Sequence, residues 1–301
     1  MYIFSFICFV GLFLYGIELL SSFLADKFSN KTLYFLEVSE NIYISFLIGI
    51  LFTFITQSSS IVTAIIIAFL NANKMKLKNG IAIMLGSNIG TTFSSVFTSF
   101  NIDKYHYVIL GIGLILFFIK RTKTYSEFFL GLGFIFLSLF YLKSSLNDLF
   151  NNINYLAYFN KTKNSVLLNT FLGIFISGII QSSSATISLA QIATQNNLIS
   201  LLAGICIVLG ANIGTTFTGL IASIKSNKPA KILALTNLLL NLFGVIVVLP
   251  FVRILSNTTF KNLSLYLSYV HILFNVVSCI VGLILIPPLI KLTNKIKKDL
   301  I

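Results

Sequence analysis

The chain has 301 residues, of which 56% are hydrophobic and only 10% charged. A mean hydropathy of +0.95 excludes an ordinary soluble domain, and apolar runs of spanning length recur from end to end, as in a polytopic membrane protein. The net charge of +13 does not point to nucleic acid, because the Lys and Arg sit in short loops between apolar runs, where positive-inside topology accounts for them.

The first apolar run, about 2–24, lacks a basic leader and a good small-residue cleavage pattern, so it reads as a retained span. It carries one acid, Glu18, and an acid at that depth is a functional candidate unless it lies close enough to Ser21 and Ser22 to reach the interface. Two short runs follow at about 42–56 and 61–72, on either side of Gln57-Ser58-Ser59-Ser60. Arms of 12 to 15 residues reach roughly 18–22 Å against a hydrocarbon core of about 30 Å. The pair is therefore expected to form a re-entrant hairpin with a polar tip, tolerated at depth where protein or a wet cavity covers it. Spans are predicted at about 81–100, 105–121 and 126–147, the first of them interrupted by the polar island Gly86-Ser87-Asn88-Ile89-Gly90-Thr91-Thr92.

The pattern then returns. Arms at about 166–180 and 185–196 flank Gln181-Ser182-Ser183-Ser184, and a span at about 205–224 holds Gly210-Ala211-Asn212-Ile213-Gly214-Thr215-Thr216. Gly49–Ser99 slides over Gly173–Ser223 without a gap at an offset of 124, with about 20 of 51 positions identical. Spans at about 232–250 and 268–290 complete the chain. Cys8, Cys206 and Cys279 lie inside apolar runs without metal or disulfide spacing and read as small buried hydrophobes.

Loop charge sets the orientation. Lys74, Lys76 and Lys78 lie in Asn73–Gly80, while the equivalent Asn197–Gly204 has no Lys or Arg. The next loops reverse, with only Lys104 in the first and Lys225, Lys228 and Lys231 in the second. Equivalent loops of opposite bias imply that the repeats are inserted upside down relative to each other. The expected fold is an all-α membrane protein of inverted repeats, with about seven spanning helices, two re-entrant hairpins carrying the Gln-Ser-Ser-Ser tips, and a cytoplasmic C-terminus. It is one domain over 1–301, with repeat 1 at about 2–104, repeat 2 at about 126–229 and extra C-terminal helices at about 230–290.

The tips are rich in groups that donate and accept hydrogen bonds, and a serine opening the second arm can cap it, leaving that arm's N-terminal N–H groups to an anion. In the islands, Gly90 and Gly214 would permit a helix break with Thr hydroxyls following. Neither tip nor island holds a carboxylate, Lys or Arg. An anion there needs hydrogen bonds and a counter-charge, which a co-bound hard cation such as Na⁺ would supply. These residues suggest cation-coupled transport of a small anion. An enzyme is not expected, since a serine nucleophile needs a base and the only histidines are His106, in a loop, and His271. No cofactor is expected beyond the coupling ion.

Two copies of Gln-Ser-Ser-Ser, each followed by Gly-[Ser/Ala]-Asn-Ile-Gly-Thr-Thr, resemble the type II sodium–phosphate cotransporter (PNaS) family over nearly the whole chain. The resemblance implies that Gln57, Ser58, Ser59, Ser60, Gln181, Ser182, Ser183 and Ser184 bind phosphate and sodium, with Asn88, Thr91, Thr92, Asn212, Thr215 and Thr216 alongside. His271-Ile-Leu-Phe-Asn275 resembles a family H-x-x-F-N stretch, and Asn237-Leu-Leu-Leu-Asn241 is a weaker copy with Asn in place of His. Both pairs read as interhelical hydrogen-bond pairs rather than relays, with His271 and Asn275 accessory to the site at most. Many bacterial members carry a PhoU-like helical domain after the membrane part, so any such regulation here is expected to come from a separate PhoU-like protein. Span 126–147 has no acid matching Glu18, with Phe140 in that region, so the halves need not bind the same ions. Sodium-coupled inorganic phosphate transport across a cell (inner) membrane by alternating access is the leading expectation, with the direction of net flux open. Phosphate efflux, another oxyanion, a passive channel and a non-transporting phosphate sensor are the alternatives. Sodium against proton coupling, stoichiometry and oligomeric state stay open.

Overall fold

The computed structural model describes residues 4–16, 18, 19, 23, 41–99, 105–150 and 165–298, and the side chains of all of these but 143, 146–150 and 288–298. Among the described residues every regular element is helical. The chain runs through α1 (Phe4–Gly16), α2 (Ile42–Thr56), α3 (Ser59–Asn71), α4 (Leu77–Ser99), α5 (His106–Phe118), α6 (Lys123–Phe150), α7 (Val166–Ile180), α8 (Ser183–Gln195), α9 (Leu201–Gly214), α10 (Thr216–Ser223), α11 (Lys228–Val248), a 3₁₀ turn (Leu249–Phe251), α12 (Val252–Leu255) and α13 (Leu263–Lys298). Helices α2, α3 and α4 begin 124 residues before α7, α8 and α9 respectively, so the sequence repeat is a repeat of helix bounds.

Among the described residues five stretches are long and apolar enough to cross a membrane: Leu77–Ser99, Lys123–Leu142, Leu201–Ser223, Lys228–Leu255 and Leu263–Pro287. Five of the seven expected spans fall on them. The run at 105–121 forms only the 13 residues of α5, and of the run at 2–24 the described helix α1 covers Phe4–Gly16.

Local chemistry sets the ends. Asn41, Ser165 and Ser200 cap α2, α7 and α9 through side-chain oxygens that accept from Tyr43, Leu168 and Ala203 N–H. Asn227 caps α11 through Ala230 N–H, and its Nδ2 donates to the Leu70 carbonyl at 2.7 Å, which ties the end of α3 to the start of α11. Helices α2 and α7 both stop at a glutamine in the left-handed region, Gln57 at φ 51° and Gln181 at φ 55°. That conformation costs a non-glycine residue about 1–2 kcal/mol, and it appears at the same place in both halves. Ser58 and Ser182 then turn extended and cap the next arm, accepting from Ile61 N–H at 3.3 Å and Ala185 N–H at 3.2 Å.

Packing repeats as well. Helix α2 lies along α4, and α7 along α9. A Cβ added at Gly86 would overlap the Phe46 carbonyl, and one at Gly210 would overlap the equivalent Thr170 carbonyl. Lipid tails are as apolar as leucine, so close backbone approach of this kind, rather than the hydrophobic effect, holds membrane helices together. Thr53 Oγ1 donates to Ser87 Oγ at 2.6 Å across the first crossing, and Ser177 Oγ donates to the Ala211 carbonyl at 2.8 Å across the second.

The expected glycine break is corrected here. No described glycine has positive φ. Helix α4 runs unbroken past Gly90, and the second helix is interrupted only at Thr215, whose φ −67° and ψ −20° remain helical. The glycines serve contact: a Cβ at Gly90 would crowd the Ile50 carbonyl and Thr53, and one at Gly214 would overlap the Ile174 carbonyl.

The described residues form three apolar cores. One joins α3, α4 and α11 around Ile66, Met84 and Leu233. A second joins α9, α11 and α13 around Ile205, Leu209 and Phe274. A third sets α1, α6 and α8 around Phe13, Leu142 and Ala185. Arm α3 packs on α4 of its own half and also against α10 and α11, while arm α8 packs on α9 of its own half and also against α4 and α13, so each arm is held from inside and outside its half.

Candidate functional site

A small cavity opens where these arms meet, and every side chain lining it is Ser, Thr or Asn. Tip serines Ser59, Ser60 and Ser183 reach it, together with Asn88 and Thr91 from α4 and Asn212, Thr215 and Thr216 from the second island. Eight of the fourteen residues singled out in the tips and islands thus come together, drawn from both copies. The tips touch: Ser60 Oγ donates to the Gln181 carbonyl at 3.1 Å.

The other six lie around this cavity without lining it. Ser58 and Ser182 are spent as caps. Thr92 Oγ1 donates to its own helix at the Ile89 carbonyl, 2.8 Å away, and Ser184 is buried in α8. Gln57 turns into its own half, where Nε2 donates to the Phe54 carbonyl and Oε1 accepts from Ser94 Oγ. Gln181 does not repeat that contact. It is exposed, while Thr218, which stands where the first half has Ser94, keeps a buried hydroxyl with no partner among the described residues. One glutamine is docked and its twin is not.

Of the accessory candidates, Glu18 is exposed and does not line the cavity. His271 is fully buried and stands directly behind the second island, with Nε2 3.2 Å from Asn212 Oδ1 and Nδ1 3.1 Å from Ser95 Oγ. Asn275 Nδ2 donates to the His271 carbonyl at 3.0 Å.

Three lining residues were missed at the sequence level: Thr63, Asn237 and Asn241. Thr63 sits in an otherwise apolar arm, where a β-branched residue reads as filler. Asn237 and Asn241 were visible as a pair one helical turn apart, yet nothing in a lone pair distinguishes lining from packing. The signal available was their likeness to His271 and Asn275, and the structure puts them in equivalent work: Asn237 meets the island residue Asn88 as His271 meets Asn212.

Among the described residues the lining has no titratable side chain, so this set can hold a ligand only by dipoles. The first turns of α3 and α8 start at it, and ahead of the capped Ile61 and Ala185 N–H their leading N–H groups have no partner within the helix. Thr91 and Thr216 donate their hydroxyl protons to the Asn88 and Ile213 carbonyls at 2.6 and 2.7 Å, leaving oxygen lone pairs for a ligand. Donors and acceptors therefore coexist within one small space.

A family model described as "Na+/Pi-cotransporter" matches the chain twice, over residues 12–144 and 146–280. The chain is similar to "Uncharacterized protein YqeW" of Bacillus subtilis, 35% identical over 212 residues, which are 69% of this chain and 68% of that protein. It is also similar to "Putative inorganic phosphate export protein YjbB" of Escherichia coli K12, 27% identical over 263 residues, which are 85% of this chain and 48% of that protein. A Salmonella typhimurium protein of the same name is 28% identical over 244 residues, 79% of this chain and 45% of its own length. The chain thus spans about half the length of the YjbB proteins it matches. No solved structure matches it. Two successive family matches that together cover most of the chain establish that it belongs to the Na+/Pi-cotransporter family.

Proposed function

We propose that this chain moves inorganic phosphate across a membrane, coupled to Na⁺, by alternating access around the cavity between its two halves. The observation that carries the proposal is the lining itself: both copies of the tip and both copies of the island contribute hydroxyls and amides to one uncharged site. Phosphate is matched by the helix N-termini at Ser59 and Ser183 and by hydroxyl donors, and the absence of any charge among the described lining residues calls for a cation to travel with it. Family membership supports phosphate and sodium as the pair.

In this reading α2–α3 and α7–α8 are re-entrant hairpins. Their arms of 15 and 13 residues reach about 22 and 20 Å, short of a hydrocarbon core of about 30 Å. The repeats are inverted, with Lys74, Lys76 and Lys78 following the first hairpin and Lys225, Lys228 and Lys231 following the second island on the cytoplasmic side. Ser59, Ser60, Asn88, Thr91, Ser183, Asn212, Thr215 and Thr216 contact the cargo, and the exposed Gln181 closes on it from the tip. Net export is the second reading, favoured by the printed name of the YjbB relatives. Labelled phosphate flux in proteoliposomes tests the proposal, with flux recorded in each direction. Folded, inserted protein that carries no phosphate either way would sink it.

A further inference from the structure

Three amides stand together where α4 meets α11, and one backbone carbonyl fixes how all three are turned. Asn241 Nδ2 donates to the Asn237 carbonyl at 2.8 Å, so the atom on that side of Asn241 is nitrogen. The same Nδ2 lies 3.1 Å from the Asn237 side chain, which must present its oxygen. Asn88 lies 3.2 Å from that oxygen and must meet it with Nδ2. Asn88 Oδ1 and Asn241 Oδ1 are left over, and neither accepts a hydrogen bond among the described residues. Both residues line the cavity, and Asn241 is only 3% exposed, so its bare oxygen has the cavity as its outlet. Thr91 adds a hydroxyl oxygen whose proton is committed to the Asn88 carbonyl.

The second half is turned the other way. Asn212 holds the place equivalent to Asn88, but its Nδ2 goes to the Val208 carbonyl at 2.8 Å and its Oδ1 faces His271 Nε2. With the Asn212 amide fixed by that carbonyl, His271 must donate, and the oxygen that Asn88 keeps free is consumed in Asn212. Asn275, which corresponds to Asn241, does not line the cavity. Asn275 Oδ1 is also without a partner but is buried away from the cavity, so among the described residues the free amide oxygens that face the cavity lie on the α4–α11 wall.

We propose that the cavity binds Na⁺ asymmetrically, at the α4–α11 wall, through Asn88 Oδ1, Asn241 Oδ1 and Thr91 Oγ1. Asn237 acts as a positioning residue that turns both amides, and the anion is left to the hydroxyls and helix N-termini of Ser59 and Ser183. Hard cations take neutral carbonyl and hydroxyl oxygens, and an oxygen already accepting a hydrogen bond is a poorer ligand. The histidine in place of Asn237 is what prevents a matching cation site in the second half. This inference rests on the transport reading of the cavity and assigns one of its ions to one wall.

Na⁺ binding can be read without transport, from thermal unfolding of the detergent-purified full chain as NaCl replaces choline chloride in the absence of phosphate. The unfolding midpoint of the unsubstituted protein rises with Na⁺. The Na⁺ concentration giving half the rise increases about tenfold or more in Asn241→Ala and in Asn88→Ala, as expected for losing one ion–dipole contact. In Asn275→Ala it stays within about twofold, well inside one such contact. Should Asn241→Ala not fold, Asn241→Ser keeps a small polar group and still loses the amide oxygen. A Na⁺ response in Asn241→Ala and Asn88→Ala equal to that of the unsubstituted protein overturns the site while leaving sodium-coupled transport intact. No Na⁺ response in the unsubstituted protein, with phosphate flux driven by protons, overturns the sodium reading and this site with it.

Discussion

Replacing Gln191 by Leu should destabilise the protein without touching the cavity. Gln191 lies on α8, fully buried, and its side chain reaches two other helices. Nε2 donates to the Ser95 carbonyl at 2.9 Å, the Ser264 carbonyl at 3.0 Å and Ser268 Oγ at 2.8 Å, and Oε1 accepts from Thr98 Oγ1. Two amide protons serve three acceptors, so the side chain makes the equivalent of about three full bonds. Interhelical hydrogen bonds in membrane proteins average about 0.6 kcal/mol each, which sets the expected loss at about 2 kcal/mol. The loss stays at that level because no partner is stranded: Ser268 Oγ still donates to the Ser95 carbonyl at 2.7 Å, and Thr98 Oγ1 still reaches it at 2.9 Å. A fall of about 3 °C in the unfolding midpoint is expected for a chain of this length, measured in detergent at one fixed scan rate because unfolding of such proteins is commonly irreversible. Gln191→Leu unfolding within a degree or so of the unsubstituted protein would refute the claim that this residue pins the second arm to α4 and α13.

Two further expectations follow from the repeat. Ser94→Ala strands the docked Gln57 and should cost about 1 kcal/mol, whereas Thr218→Val removes a buried hydroxyl that has no partner and should be neutral or stabilising; paired thermal unfolding checks the difference in sign. Gly86→Ala and Gly210→Ala each drive a methyl into a facing carbonyl, and overpacking of about 1–3 kcal/mol outweighs a gain of at most about 1 kcal/mol in helix propensity. Both variants should lower the midpoint, while Gly11→Ala, with open space around it, should not.

Much of this architecture is legible in the sequence because the bilayer makes polar residues conspicuous. The runs at 42–56 and 166–180 coincide with α2 and α7, since apolarity begins and ends with those helices. The arms begin two residues earlier than their apolar runs, at Ser59 and Ser183, because a capped first turn is polar and helical at once. The tips and islands stand out because they are doubled. What was hidden lacks either contrast or a copy. Gln191 has Ile67 as its counterpart, buried in an apolar core, so the repeat carries no trace of the network. The glycine break was misread for a physical reason: glycine permits a turn and a close helix contact equally, and only the facing carbonyls of Ile50 and Ile174 decide between them. Which tip residues face the cavity was also beyond the sequence, since Ser58 and Ser59 differ only in which one caps the helix.

The central claim is that the cavity shared by the two halves carries phosphate with sodium. Labelled phosphate movement in proteoliposomes under an imposed Na⁺ gradient, against an equal K⁺ gradient, addresses it most directly. Phosphate movement that follows the Na⁺ gradient and disappears when K⁺ replaces it is the predicted result. Phosphate movement of equal rate in both, or none from folded protein present in both orientations, would contradict it.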